Sequence, residues 1–188
     1  MERSFLEIKH LDEKLDYDGS QLAPHWIYKK TGIMGDAVVS FIGSCNVLDD
    51  QMADLEDLIQ KKTIRSDNML HFIVEIFGRD CLFAAAVQHL FISEIQNVLL
   101  EKDIHVKKDG DDLFIGDGKL SISIASVSPV SALIHIGMNI TNDGTPVRTS
   151  ALKDINIEPK AFAVTVMKRM DSEFSRIILA ASKVRARL

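Results

Sequence analysis

The stretch KLSISIASVSPVSALIHIGMNI, residues 119–140, decides the reading of the fold. It is rich in isoleucine, valine and leucine, which suit a pleated, half-buried surface. Ser128-Pro129 reads as a short connection in its middle. Two strands, 119–127 and 131–141, are therefore expected as antiparallel neighbours in one sheet. Side chains alternate between faces along a strand. In the first, Lys119, Ser121, Ser123 and Ala125 point one way and Leu120, Ile122 and Ile124 the other. In the second, Leu133, His135, Gly137, Asn139 and Thr141 share one face, and Ala132, Ile134, Ile136, Met138 and Ile140 share the opposite face. Pairing the two oily faces would also unite the polar ones.

Two readings of that polar face compete. One is a sheet face in water. The other is the floor of a pocket. Serine and glycine fit a wet face poorly, because β-branched residues or long charges suit it better. Small residues leave room, with Lys119 at the rim and Gly137 allowing a ligand to approach closely.

Working outward, DDLFIG precedes this hairpin as a third short strand, with a tight turn over 116–118. Upstream, residues 80–102 read as a strongly apolar helix, with Phe83, Val87, Leu90, Phe91, Ile95 and Val98 stepping by three and four. This helix is expected to pack on the apolar face of the hairpin. AVVSFIGS (37–44) and MLHFIVEIF (69–77) read as buried strands. Between them, LDDQMADLEDLIQKK reads as a helix with Leu48, Met52, Leu55 and Ile59 on one face. Near the N-terminus Ser20 is expected to cap a helix ending at Gly32, with Pro24 in its first turn. From Glu158 the chain reads as helical, with Pro159 at the first position and Phe162, Val166, Phe174, Ile177, Ile178 and Ala181 on its apolar face; Asp171-Ser172 would divide it in two. The terminal KVRARL is basic but short, and reads as a helix end. The expected class is α+β: one domain over 1–188, with a largely antiparallel sheet packed by helices.

Composition narrows the function. Hydrophobic residues make up 46% and charged residues 26%, with a formal net charge of -5. No basic stripe stands out, which argues against a nucleic-acid partner. No apolar run approaches the ~20 residues of a membrane span, and the charged start, MERSFLEIKH, does not read as a signal peptide. Cys45 and Cys81 have no metal-site spacing, so a reducing, cytoplasmic setting is expected. No Walker loop, dinucleotide fingerprint or GxSxG elbow is present.

The order of segments resembles the biotin and lipoate protein ligase superfamily, whose fold is related to class II aminoacyl-tRNA synthetases. YDGSQL, MLHFIVE, SVSPVSALIH and GTPV are more closely similar to an uncharacterised prokaryotic family, a domain of unknown function, within it. AVVSFIGSCN before DDQMADLEDL resembles the ligases' glycine-and-asparagine turn leading to an acidic helix. DGKLSISIAS resembles the lysine-bearing segment, and LIHIGMNIT the strand ending in G-x-N. The resemblance implies that Lys119 contacts an activated acyl group and phosphate oxygens, a task for a compact cation where negative charge develops. One departure stands out. TIRSDNMLHFIVE keeps Arg65 but has no arginine pair and no glycines, so no backbone cradle for phosphate is read there.

Other polar groups join the list. Asp18, Ser20 and Gln21 form either a turn with a helix cap or polar contacts at the pocket edge. His71 and Glu75 share a strand face, as a satisfied polar pair, a proton-exchanging pair or metal ligands; no metal site is assigned. Ser121 or Ser123 beside His135 is a weak nucleophile–base arrangement. Asp111 and Asp112 are read as shaping a turn. The sequence therefore points to a ligase-like or acyltransferase-like enzyme for a small acid. Lys119 is its reactive-centre residue, and Asp18, Ser20, Gln21, Arg65, His71, Ser121, Ser123, His135, Gly137 and Asn139 shape its pocket. The alternative is a non-catalytic small-molecule-binding module that has lost the adenylation loop. A small-molecule acid or nucleotide is the expected partner; the sequence names no cofactor and no oligomeric state.

Overall fold

A computed structural model describes residues 4–185. Its centre is β3 (Ile64–Phe77), a strand of 14 residues. Leu70, Phe72, Val74 and Ile76 alternate with Met69, His71, Ile73 and Glu75, and both sets are buried. A strand buried on both faces needs covers on both sides. β2 (Ala37–Val47) and β8 (Ser131–Asn139) flank it, both antiparallel. β1 (Glu7–Lys14) lies parallel outside β2, and β7 (Ser121–Val127) forms the other edge, antiparallel to β8. The result is an α+β fold with a mainly antiparallel five-stranded sheet.

One face of the sheet carries α3 (Cys81–Leu100) and α4 (Pro159–Ser182). Val87, Phe91, Ile95 and Val98 of α3 meet Ile134, Ile136 and Met138 of β8 and Phe72 of β3 in one core, together with Phe162, Val166 and Phe174 of α4. By length and composition α3 could cross a membrane, contrary to expectation; half of its apolar window is buried inside the protein. Asp171-Ser172 does not divide α4. The Asp171 carboxylate accepts from Ser4 Oγ and from Leu6 N, so it ties down the N-terminal segment instead. The buried face of α4 ends near Ser175, and Ile177 is exposed. Lys183 is the C-cap of α4; residues 186–188 of the basic end lie outside the described residues.

The other face is covered by the chain between β1 and β2. Tyr17 and Ile27 pack on Val39, Phe41, Met69 and Ile73. The helix here is only α1 (Trp26–Thr31), capped at Gly32 as expected, but it starts later than Ser20. Ser20 N and Oγ both donate to Asp18 Oδ1, closing a local turn where a helix start was expected. The acidic helix also shrinks. A 3₁₀ turn spans Asp49–Gln51, and α2 covers only Leu55–Ile59. Asp54 accepts from Glu56 N and Asp57 N, starting a new helix where continuity was expected. Leu48, Leu55 and Ile59 are exposed, so they form no buried stripe.

The strands after α3 divide between two sheets. β4 (Lys107–Asp109), β5 (Asp112–Ile115) and β6 (Gly118–Lys119) make a separate three-stranded sheet. Only from Ser121 does the chain enter the main sheet. β7 and β8 pair as expected, but the register reverses the expected alliance of faces. Ser121 lies opposite Met138, Ser123 opposite Ile136, Ile122 opposite Gly137 and Ile124 opposite His135. Directly opposed residues share a face. The two serines therefore face the helices, and Ile122 and Ile124 lie with the histidine.

Candidate functional site

A cavity of about 400 Å³ opens on the sheet face away from α3 and α4, where Tyr17 stops covering it. Its apolar wall includes Val47, Met52, Ile64, Met69, Ile122 and Ile124. Its polar wall includes Arg65, Ser66, Lys119, His135 and Asn139. Ser123 and Asp111 reach it at the sheet edge that β7 forms.

Lys119 enters from β6. The β5–β6 hairpin pairs Phe114 with Lys119, which puts Asp112 two residues along on the same face. Lys119 Nζ and Asp112 Oδ2 are 2.6 Å apart, both half-buried in the cavity wall. Burial pushes the Asp112 carboxyl upward, and its bond to Lys119 opposes that shift. The lysine is fixed from behind as well. Asn139 Nδ2 donates to Lys119 O at 3.1 Å, and Lys119 N and O both bond the chain at 148–150. The other lining cations also have carboxylates nearby: Lys62 on Asp57 at 2.7 Å and Arg65 with Asp67 at 3.6 Å.

The floor is built on two histidines. His71 Nδ1 lies 3.0 Å from His135 Nε2, and His71 Nε2 lies 3.4 Å from Gly43 O. Tyr17 stacks on His135 with ring centroids 3.6 Å apart and planes 10° apart; Phe41 stacks on His71. Burial pulls the His71 pKa down to about 4, and burial followed by the neighbouring His71 takes His135 well below its ordinary value. Both rings are neutral at pH 7. Burial also raises the Tyr17 phenol and pushes the Cys45 thiol up to about 12, so neither is a nucleophile at neutral pH.

Of the residues singled out from sequence, Lys119, Arg65, Ser123, His135 and Asn139 line the cavity. His71 lies beneath, behind His135. Ser121 is sealed on the helix side, where its Oγ accepts from Leu113 N. Ser123 Oγ donates to Asp111 and accepts from Gln88 Nε2, so it does not pair with His135 as a nucleophile. Asp18, Ser20 and Gln21 bond one another and Asp16 O, outside the cavity wall. Gly137 leaves no opening for a ligand: a Cβ there would meet Met69 Cε at 2.9 Å and Ile122 Cγ1 at 3.2 Å. Glu75 does not meet His71; its Oε1 accepts from His25 N and Ser131 Oγ. Sequence reasoning missed Asp112, Tyr17 and Ser66. Counting the β5–β6 register back from the tight turn at 116–117 would have found Asp112.

An uncharacterized protein of Methanocaldococcus jannaschii, MJ0805, is 32% identical over 178 residues, covering 89% of this chain and 80% of its own. The structure of a protein of unknown function from Pyrococcus horikoshi superposes with a TM-score of 0.94 at 38% identity, covering 97% of this chain and 100% of its own. The biotin protein ligase of Aquifex aeolicus in complex with biotin and ATP matches with a TM-score of 0.56 at 15% identity, over 90% of this chain and 70% of its own. LipL1 of P. falciparum in complex with lipoate gives 0.56 at 14%, over 96% of this chain and 65% of its own. The fold is therefore that of the biotin and lipoate ligases. The model of the family described as Domain of unknown function (DUF366) matches residues 6–185, and the chain belongs to that family.

Proposed function

We propose that the cavity binds a small carboxylic acid or its activated ester, and that the protein is a ligase-like or acyltransferase-like enzyme. The observation that carries this reading is Lys119: a half-buried ammonium, anchored through its own backbone, in a cavity whose apolar wall includes Met69, Ile122 and Ile124. An apolar body with an anionic end fits such a site. In acyl transfer, negative charge develops on the acyl oxygen, and a fixed ammonium in a partly dry cavity stabilises it. The solved neighbours in complex with biotin, ATP and lipoate support a small acid as the ligand class.

A second reading has its own support. Asp112 already neutralises Lys119, and the 63–75 segment has no glycine to cradle phosphate. These features favour a module that binds a small acid without turning it over. Calorimetric titration with biotin, lipoate and octanoate, each with and without magnesium ATP, tests both readings. Binding with pyrophosphate release supports the ligase. Binding without turnover, also after activated esters are supplied, supports the module. Absence of binding by all three acids would sink the small-acid reading.

A further inference from the structure

The hydrogen-bond chain beneath the cavity fixes where the histidine protons sit. Gly43 O can only accept, so His71 Nε2, which faces it at 3.4 Å, carries a proton. A neutral imidazole has one N–H, so His71 Nδ1 is an acceptor. His135 Nε2, 3.0 Å away, must then be the donor. That leaves His135 Nδ1 as a bare lone pair. It has no hydrogen-bond partner among the described residues. The one sealed side-chain atom without a partner there is Ser66 Oγ, so His135 Nδ1 is open to the cavity that His135 lines. Burial keeps both rings neutral, so the assignment holds across the neutral pH range. Tyr17, stacked flat on His135, holds the ring plane and prevents a flip without repacking.

The cavity thus carries a polar atom, the acceptor His135 Nδ1, that none of the described residues satisfies; the hydroxyl of Ser66, also without a partner among them, is sealed from the cavity. A buried polar atom without a partner is costly, and a ligand that supplies the partner is selected strongly over an apolar isostere.

We propose that His135 Nδ1 is a specificity subsite that accepts a hydrogen bond from a neutral N–H or O–H on the ligand's apolar body. Combined with the small-acid reading, on which the identity of the whole ligand rests, the substrate class is a hydroxy or amide acid rather than a plain fatty acid. A hydroxyl placed in a purely apolar cavity weakens binding through its desolvation; here, at the right carbon, it strengthens binding.

The test uses wild-type protein labelled with ¹⁵N-histidine. The probes are octanoate, the positional series of monohydroxyoctanoates, and the uncharged octanol and octanamide. A long-range ¹H–¹⁵N correlation spectrum reads the tautomers directly, with His135 assigned through its contacts to the Tyr17 ring. The expected spectrum has the His135 proton on Nε2. The Nδ1 resonance should move with octanol, octanamide and at least one hydroxyoctanoate, and stay in place with octanoate. That hydroxyoctanoate should bind roughly three- to tenfold tighter than octanoate. A proton on Nδ1 would overturn the proposal. So would an Nδ1 resonance unmoved by every hydroxyl and amide probe, or a hydroxyoctanoate series uniformly weaker than octanoate. If the uncharged probes engage Nδ1 while no acid binds, the subsite stands and the carboxylate reading fails. If octanoate binds while no donor probe moves Nδ1, the reverse holds.

Discussion

Lys119 Nζ and Asp112 Oδ2, 2.6 Å apart across the short β5–β6 hairpin, form an ion pair that any anionic ligand must share or displace. Each side chain is more than two-thirds shielded from solvent, so the pair is neither a fully exposed contact nor a dry one. Its net contribution to stability is about 1 kcal/mol. Its larger effect is on the charge available to a ligand.

Lys119→Ala should therefore melt within a few degrees of wild type while losing roughly ten- to a hundredfold in affinity for the acid that binds, the value of a charge-assisted bond. Asp112→Asn should act in the opposite direction and tighten carboxylate binding, because the ammonium is released from its partner. Titration calorimetry on the two variants gives both signs. Equal affinities in wild type and Lys119→Ala would remove the lysine from the site.

Two glycines should respond unequally to alanine. At Gly43 a Cβ would stand 1.9 Å from Leu15 O, a backbone atom that cannot swing away. At Gly137 the tightest contact is Met69 Cε, the far end of a flexible side chain. Gly137→Ala should cost about 1 kcal/mol, and Gly43→Ala about 3 kcal/mol or more, since the 15–17 segment and Tyr17 must lift from the sheet. Urea unfolding of both variants checks the order, and a Gly43→Ala protein as stable as wild type would contradict the packing described.

The α+β class, the sheet hairpin, the long apolar helix and the C-terminal helix were legible because their periodicities are long. The polar site was less legible, for a physical reason. Alternation within β7 and within β8 was read rightly, but which face of one strand meets which face of the other depends on register, and a shift of one residue exchanges the sets. Ser121 and Ser123 went to the helix side because β5 and Gln88 supply their partners there. The same limit hid Asp112. Its role depends on a second small sheet that the chain builds before joining the main one. Gly137 looked like room for a ligand because the sequence does not show that Met69 and Ile122 fill that space.

Ser66 offers a test of the packing of the cavity wall. Its Oγ is buried without a hydrogen-bond partner among the described residues, a state that costs about 1–3 kcal/mol. Ser66→Ala should therefore raise the stability of the free protein by about 1 kcal/mol. The sealed hydroxyl does not reach the cavity, so the same change should leave ligand affinity unaltered. Thermal unfolding with and without a saturating ligand checks both; a destabilised free variant would mean that the hydroxyl is already satisfied.

The histidine pair sets how the fold meets acid. His71 titrates at about 4 in the folded protein, against an ordinary value of 6.5. The unfolded chain therefore binds the proton first as pH falls. The stabilisation is fully present above about pH 6.5, declines as pH falls below it, and is gone once pH passes below about 4. The loss from His71 is on the order of 3 kcal/mol, at about 1.4 kcal/mol per unit of separation. His135 shifts in the same direction, and repulsion between two protonated rings forbids both from charging together. Asp36 and Asp112, whose carboxyls burial pushes upward, act with the opposite sign and lessen the fall at the acid end. Unfolding followed between pH 7.5 and 4 should thus show stability dropping with decreasing pH. His71→Gln, whose side-chain amide has no titration in this range, should flatten that slope. A slope unchanged in His71→Gln would assign the acid sensitivity to other groups and remove the neutral histidine pair as its cause.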